Sequence, residues 1–299
     1  MTQHRPFPIL CFLFRKLLTL SLVLVWAVPS GAWGRRAHQM VNAAAIKALP
    51  VPLRSYFAAH QFYLVDHASD PDLRAETDRR ERPRHFAEIE AYDRYPFLQF
   101  RRQFVLERLG AARAQIRHGT VMWQIERFTR YLEQDFRQRN WGEVNHDAVY
   151  LAHYAADLTQ PLHTVVNYDG QETGQRGIHA RFEAGLVDLL ADQWVLRPRP
   201  ATKLANLRSR IFEEFINSYR QAPAIFAADR SVRASIPYTS PRFLQAFAAA
   251  AGPVAYAQLE DAASFVASLW YTSWVRAGKP NLSGWKAARA DRYPPKWRD

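Results

Sequence analysis

Helical periodicity dominates this sequence, whereas the alternation of apolar and polar residues typical of a half-buried strand is scarce. Several stretches carry apolar residues three or four positions apart, and we expect them to form amphipathic or buried helices. The predicted helices are residues 38–49, 97–118, 123–139, 146–163, 178–196 and 254–277. We expect the last helix to begin after Gly252-Pro253 and to end at Gly278-Lys279-Pro280. Residues 197–203 (RPRPATK) are predicted to form a linker or turn, and the whole pattern predicts one all-α domain.

The first 32 residues are typical of a secretory leader. Arg5, Arg15 and Lys16 precede an apolar run at 17–28, and the small residues at 30–32 offer a cleavage site after Ala32. This run is shorter than the ~20 apolar residues that a membrane-spanning helix needs, although an uncleaved anchor is the alternative. We therefore expect a signal peptide at 1–32, a single domain at 33–299, and a mature chain that is periplasmic or secreted and not an integral membrane protein.

The composition limits the chemistry of the mature chain. The only cysteine, Cys11, lies in the leader, so no thiolate is available at 33–299 to bind a metal ion. The formal charge of the whole chain is +12 at pH 7, which favours polyanionic partners such as nucleic acid or anionic lipid. The positive charge is spread along the chain, and no stable protein partner is implied.

Two pairs of residues four positions apart are the strongest chemical signal. His153 and Asp157 lie in one predicted helix, and His179 and Glu183 lie in the next. Each spacing places both side chains on one helix face, and His163 follows the proline that ends the first of these helices. One such pair is most often an ordinary ion pair. Two pairs on apolar helices favour a metal site, because a buried charge without a partner is costly. Nitrogen and oxygen ligands suit zinc, with manganese or iron as alternatives.

Nine residues together resemble the metal ligands of the S1/P1 nuclease and zinc-dependent phospholipase C superfamily. They are Trp33, His38, Asp70, His85, His153, Asp157, His163, His179 and Glu183. The matching positions run from 33 to 183, just over half of the mature chain. The resemblance implies a single helical domain of the phospholipase C/P1 nuclease type that binds three zinc ions.

The resemblance also distributes these ligands over three sites. The first zinc ion takes Asp70, His85, His153 and Asp157. The second takes His163, His179 and Glu183. The third takes the amine and carbonyl of Trp33, with His38 and a bridging Asp157. Cleavage after Ala32 would create this amine, and an α-amino pKa of ~7.7–8.0 lets zinc displace its proton near neutral pH.

The implied reaction is phosphodiester hydrolysis by a water molecule that zinc activates. Asp157 acts as the bridge between two of the ions, and Asp70 assists as a general base. Asp72, two residues after Asp70, is the alternative ligand of the first site.

The features that bear on the substrate divide between the two branches of the superfamily. The spacing from Trp33 to His38 is similar to the nucleases, whereas Glu183 is similar to the phospholipases. The nuclease branch stacks a base on an aromatic residue and hydrogen-bonds it to a carboxylate, and Phe86 and Glu88 are the candidates for these roles. Core packing is the alternative for Phe86. Arg74 is the candidate for binding phosphate.

The positions expected to surround a choline group hold Arg36, Pro71 and Arg82, which counts against phosphatidylcholine. The first hypothesis is therefore an exported phosphodiesterase (endonuclease) that acts on single-stranded DNA or RNA. The second is a phospholipase C that acts on another phospholipid head group. The third is a non-catalytic zinc-binding envelope protein. The remaining histidines are predicted to be surface or capping residues, with an outer role at the metal site as the alternative for His146; they are His60, His67, His118 and His146.

Overall fold

A computed structural model of the chain describes residues 33–110 and 116–283. Over these ranges the chain is all-helical and contains no strand, which confirms the predicted fold class at that level. The predicted signal peptide at 1–32 and the basic segment at 284–299 lie outside the described residues. Within the described part of the chain, no helix combines the length and the apolar character that crossing a membrane requires.

The helices are mostly short at the start of the chain and long at its end. The α-helices are α1 (Arg35–Ala48), α2 (Leu53–Ala59), α3 (Gln61–Asp66), α4 (Asp70–Thr77), α5 (Leu98–Arg101), α6 (Val121–Gln138), α7 (Trp141–Thr159), α8 (Ile178–Ala180), α9 (Val187–Leu190), α10 (Leu207–Tyr219), α11 (Ala222–Arg233) and α12 (Phe243–Arg276). Two π-helical turns occur at Arg102–Leu106 and Arg181–Leu186, and 3-10 turns occur at Arg82–Arg84, Ile89–Ala91, Ile116–His118, Pro161–Thr164 and Ala191–Gln193.

Helix α7 is the centre of the fold. All of its residues from Val144 to Thr159 are buried, because α1, α6, α10 and α12 pack around it. Its sequence is mostly apolar, which is the pattern expected of a helix enclosed by others. Any polar side chain on α7 is therefore held away from bulk water, and this sets the environment of His153 and Asp157.

The prediction that the last helix begins after Gly252-Pro253 is wrong. Helix α12 begins at Phe243 and contains Pro253 within its length. A proline removes one helical hydrogen bond, but the packing of α9, α11 and the second π-helical turn against this part of α12 offsets the loss. Gly252 has a packing role here, because a Cβ at this position would lie 2.9 Å from Cδ1 of Leu190.

The predicted helix at 97–118 is also wrong in its extent. The chain forms α5, continues as a π-helical turn to Leu106, and is not helical at 107–110. Arg208 of α10 provides the physical reason, because its guanidinium donates hydrogen bonds to the carbonyls of Phe104 (2.7 Å) and Leu109 (3.2 Å). These carbonyls are thus satisfied from another helix, and the chain turns away. Residues 111–115 lie outside the described ranges.

Residues 197–203 form an extended strap, in agreement with the predicted linker. Its backbone N–H groups donate to side chains of α12: Arg197 to Glu260 (2.7 Å), Arg199 to Ser264 (3.0 Å) and Thr202 to Ser268 (3.2 Å). These acceptors are spaced four residues apart, so they lie in one row along the helix. The row replaces the backbone partners that an extended segment would otherwise find in a sheet.

Candidate metal centre

Six elements, α7 among them, bring seven of the nine predicted ligands together. Helix α7 itself carries His153 and Asp157, and α1 carries His38. His85 follows the 3-10 turn Arg82–Arg84, and His163 lies in the 3-10 turn Pro161–Thr164. His179 lies in α8, and the second π-helical turn carries Glu183. All of these ligand side chains are buried.

The first cluster surrounds the carboxylate of Asp157. Oδ2 of Asp157 lies 2.9 Å from Nδ1 of His85 and 3.3 Å from Nε2 of His153. The other oxygen, Oδ1, lies 3.4 Å from Nε2 of His38. Asp157 therefore presents one oxygen to each side, which is the geometry that a bridging carboxylate needs.

The first cluster contains Asp72 instead of Asp70. Oδ1 of Asp72 lies 3.4 Å from Nε2 of His153 and 3.6 Å from Nδ1 of His85. Asp70 instead contacts the half-exposed His67, with 2.8 Å between Oδ2 and Nδ1. The structure thus corrects the choice of Asp70 and supports the alternative. The reason is that α4 begins at Asp70 and packs against α7 in such a way that the side chain of Asp72 lies towards α7.

The second cluster consists of His163, His179 and Glu183. The Nε2 atoms of the two histidines are 3.1 Å apart. Oε2 of Glu183 lies 2.7 Å from Nε2 of His179 and 3.5 Å from Nε2 of His163. Nδ1 of His163 is 4.0 Å from Oδ1 of Asp157, so the two clusters are neighbours in one centre.

Backbone carbonyls fix the orientation of two of the imidazole rings. Nδ1 of His153 donates to the carbonyl of Ala68 (2.9 Å), and Nδ1 of His163 donates to the carbonyl of His85 (2.9 Å). With Nδ1 protonated, the Nε2 lone pair of each ring points into its cluster. Such outer hydrogen bonds are the usual way in which a protein orients a histidine towards a metal ion.

Several ligand atoms of the first cluster are buried without a hydrogen-bond partner among the described residues. These atoms are Nε2 of His38, Oδ1 of Asp72 and Oδ1 of Asp157. An unsatisfied buried polar atom costs about 1–3 kcal/mol, and an orphaned charge costs more. A cation placed between these atoms would satisfy all of them, so the donor set fits a metal ion.

The charges of the first cluster also favour a positive ion at this point. Burial opposes its protonation, yet the carboxylates of Asp157 and Asp72 raise the pKa of His153 well above its usual value. Burial opposes ionisation of Asp157 as well, but the charge of His153 and the contacts with His38 and His85 hold the pKa of that carboxyl well below its usual range. Burial and the neighbouring His153 lower the pKa of His38, which keeps this ring neutral and able to act as a ligand.

Trp33 is a buried anchor beside both clusters. Its indole Nε1 donates to the carbonyl of Ala156 (3.0 Å), and its ring packs against Phe182 with 5.5 Å between centroids. The next residue, Gly34, donates its N–H to the carbonyl of Glu183 (3.4 Å). The backbone at Trp33 is therefore held between the chain segments that carry Asp157 and Glu183, while its role as a ligand stays a prediction.

The three residues predicted to bind substrate have different environments. Phe86 is half-buried, and its ring is not part of the hydrophobic core that the described residues form. Glu88 pairs with His118, with 3.0 Å between Oε2 and Nδ1. Arg74 is buried and pairs with Glu81 and Asp78, so the structure corrects its assignment as a phosphate-binding residue.

Two of the remaining histidines, His60 and His146, are buried. His60 is the C-cap residue of α2, in agreement with a capping role, whereas His146 lies inside α7 and is neither exposed nor a cap, which corrects its prediction. His60 bonds to the carbonyl of Tyr56 (2.8 Å), and His146 contacts Asp147 (3.0 Å) in a separate group with Glu143. His146 is buried because α1, α6, α10 and α12 pack around α7, so local spacing could not show its burial.

No protein-family model and no curated protein matches this chain. The class that the structure itself defines is an all-helical protein with buried clusters of histidine and carboxylate side chains that could hold metal ions.

Proposed function

We propose that this chain is an exported zinc-dependent phosphodiesterase of the S1/P1 nuclease type that hydrolyses single-stranded nucleic acid. The observation that carries the proposal is the carboxylate of Asp157, which belongs to a five-residue cluster of nitrogen and oxygen donors and lies 4.0 Å from His163 of a neighbouring three-residue cluster. Purely structural zinc sites are usually closed by four protein ligands, and a centre with several adjacent ions suits phosphoryl transfer better.

The ligands divide naturally among the ions. His85, His153, Asp72 and Asp157 would hold the first zinc ion, and His163, His179 and Glu183 the second. His38 and the free oxygen of Asp157 would hold a third, together with the amine of Trp33 in a mature chain that begins at this residue. Zinc supplies, when bound, a Lewis acid for phosphoryl oxygens and a water-derived nucleophile near neutral pH.

The residues of the chain provide the surroundings for this chemistry. The Asp157, Asp72 and Glu183 carboxylates offset the charge of the ions, and the enclosing helices exclude bulk water. Exclusion of water strengthens each electrostatic contact with a phosphodiester at the rim. Asp70 contacts His67 outside the cluster, so it has no place as a general base in this proposal.

Nucleic acid is favoured by the segment that follows His85. The N–H of Ala87 donates to the carbonyl of His163 (2.9 Å), which holds Phe86 and Glu88 beside the second cluster. A half-buried aromatic ring next to a carboxylate suits a base that stacks and forms a hydrogen bond, and stacking contributes ~1–3 kcal/mol. The net positive charge that remains on residues 33–299 after Arg5, Arg15 and Lys16 leave with the leader would attract the phosphate backbone.

A phospholipid is the second candidate substrate. Leu73, beside Asp72, is 59% exposed, and Tyr168, whose ring contacts His179, is 42% exposed. Exposed apolar side chains at the rim of a phosphodiesterase site suit the interface of a lipid layer.

The deciding experiment measures hydrolysis by the zinc-loaded chain 33–299. Release of acid-soluble nucleotide from single-stranded DNA or RNA, abolished by EDTA, is the expected result. Release of phosphorylated head groups from anionic phospholipid vesicles, without nucleotide release, would favour the lipid. Zinc-loaded protein that cleaves neither substrate would refute the proposed activity and leave a non-catalytic metal protein.

The third ion is tested separately. A chain that begins at Trp33 is expected to bind one more zinc ion than a chain that begins at Ala32, because only the first has a free amine at the ligand position. Equal zinc content, measured by atomic absorption on protein of known concentration, would remove the amine as a ligand.

A further inference from the structure

Glu81 lies behind the first cluster, on the side of His85 that faces away from Asp157. Its side chain is wholly buried, although the sequence offers no reason to single it out. It precedes the 3-10 turn Arg82–Arg84, and this turn places it four residues before His85 on the same side of the chain. A buried carboxylate beside a metal ligand calls for a physical explanation.

Four side chains surround the Glu81 carboxylate. Oε1 accepts a hydrogen bond from the hydroxyl of Tyr154, and Oε2 accepts one from Nη1 of Arg84 (3.1 Å). Nε of Arg74 lies 3.3 Å from Oε2. The two guanidinium groups balance the buried charge, and together with Tyr154 they hold the carboxylate in one place. The fourth neighbour is the ring of His85, with Nε2 at 3.8 Å from Oε1.

His85 differs from the other ligands in the nitrogen that it presents. His153 and His163 turn Nε2 towards their clusters and donate from Nδ1 to a backbone carbonyl. His85 turns Nδ1 towards Asp157 (2.9 Å), so its Nε2 faces outwards. That Nε2 atom is buried and has no hydrogen-bond partner among the described residues.

A neutral imidazole that gives its Nδ1 lone pair to a metal ion must carry its proton on Nε2. The proton then needs an acceptor, and no backbone carbonyl fills this place as it does for His153 and His163. Oε1 of Glu81 lies within reach after a shift of less than 1 Å, because an N–H···O hydrogen bond spans about 2.7–3.2 Å.

We propose that Glu81 is a positioning residue that accepts a hydrogen bond from Nε2 of His85 and so holds Nδ1 as the metal-binding nitrogen. Tyr154, Arg84 and Arg74 position the carboxylate in turn, which gives Arg74 a function behind the metal centre instead of at the substrate. The inference rests on the proposed zinc centre, but it does not depend on which phosphodiester is cleaved.

The test is the zinc affinity of the full mature chain, measured by competition with a chromophoric chelator. Glu81→Gln should weaken zinc binding about 10–100-fold, the usual effect of losing an outer partner of a metal-bound histidine. Glu126→Gln is the matched control, because Glu126 is a buried carboxylate that pairs with Arg208 and belongs to neither cluster. The control should leave zinc affinity unchanged.

A double-mutant cycle distinguishes positioning from a general structural effect. In a His85→Ala background, Glu81→Gln should cause no further loss of zinc affinity, because the histidine that Glu81 is proposed to position is absent. A loss of the same size in both backgrounds, or no loss in the first, would overturn the inference. If wild-type protein binds no zinc, the proposed metal centre itself fails, and this result is seen before any variant is compared.

A second variant covers the case in which Glu81→Gln does not fold. Tyr154→Phe removes one hydrogen bond from the Glu81 carboxylate and leaves both arginine contacts in place. It should weaken zinc binding less than Glu81→Gln, and only when His85 is present. Wild-type zinc affinity in a folded Tyr154→Phe protein, or a loss that persists without His85, would count against the proposal.

Discussion

Replacement of Asp72 by asparagine tests the composition of the proposed metal centre most directly. The structure places Oδ1 of Asp72 in the first cluster, buried and 3.4 Å from Nε2 of His153. Asp70, only two residues earlier, contacts His67 instead. Asparagine keeps the size of the side chain and removes the negative charge, so Asp72→Asn and Asp70→Asn form a matched pair.

The expected loss of zinc affinity follows from the position of each carboxylate. Outer partners of metal-bound histidines contribute about 10–100-fold to affinity, and a direct ligand should contribute at least the upper end of this range. Asp72→Asn should therefore weaken zinc binding by about 100-fold or more, which corresponds to at least ~2.7 kcal/mol. Asp70→Asn should change zinc affinity by less than about 3-fold, or ~0.7 kcal/mol.

The same pair of variants should differ in stability without zinc. Asp72 loses a charge-assisted contact with His153, and such contacts contribute about 1.5–3 kcal/mol. The pair of Asp70 with His67 is partly exposed, so its loss should cost at most ~1 kcal/mol. Asp157 still faces His153 in the Asp72 variant, so complete loss of folding is not expected.

Chelator competition at neutral pH gives the zinc affinities, and urea unfolding of EDTA-treated protein gives the stabilities. Equal losses of zinc affinity in the two variants would show that the cluster is wrongly assigned. A larger loss for Asp70→Asn would restore Asp70 as the ligand and place α4 in a different register.

Four further outcomes are expected. His163→Ala removes a proposed ligand, so it should lower the zinc content and reduce hydrolytic activity at least about 100-fold. His118→Ala should leave the zinc content unchanged. Equal loss of zinc in the two variants would mean that the second cluster is wrongly assigned. EDTA should lower the melting temperature, and restored zinc should raise it, because an ion that binds only the folded chain stabilises it. Zinc must displace the proton that the raised pKa of His153 retains, so the logarithm of zinc affinity should rise by about one per pH unit below that pKa; a flat profile would contradict it. The stability of the zinc-free protein should depend on pH in the opposite direction. The contribution of His153 to the free energy of unfolding is complete below about pH 6.5 and is lost as the pH rises through the pKa of His153 in the folded protein. Urea unfolding at a series of pH values measures this change.

Local spacing was sufficient to predict part of this centre. His153 with Asp157, and His179 with Glu183, are four residues apart on helical segments, and the structure brings each pair together. The second pair lies at a π-helical turn, which the periodicity did not predict, yet its two side chains still meet. Interactions within one turn of helix depend on few neighbours, so sequence spacing is informative about them.

Contacts between distant segments were not predictable in the same way. The exchange of Asp70 for Asp72 depends on how α4 packs against α7, and both residues have the same chemistry. Arg74 carries the charge expected of a phosphate-binding residue, but Glu81 and Asp78 hold it in a buried network. Glu81 itself gives no signal in the sequence, because its importance comes from Tyr154 and Arg84 beside it.

Periodicity and residue type alone predict that the chain is helical and that paired histidines and carboxylates lie on apolar helices. Those features depend on periodicity and on residue type, which are properties of the local sequence. The packing of distant segments sets where helices begin and end at 97–118 and 243–276, which aspartate joins the cluster, and which nitrogen of His85 faces inwards. These outcomes depend on side chains tens of residues apart, such as Arg208 at the carbonyl of Phe104, and burial acts on them only after the helices have packed.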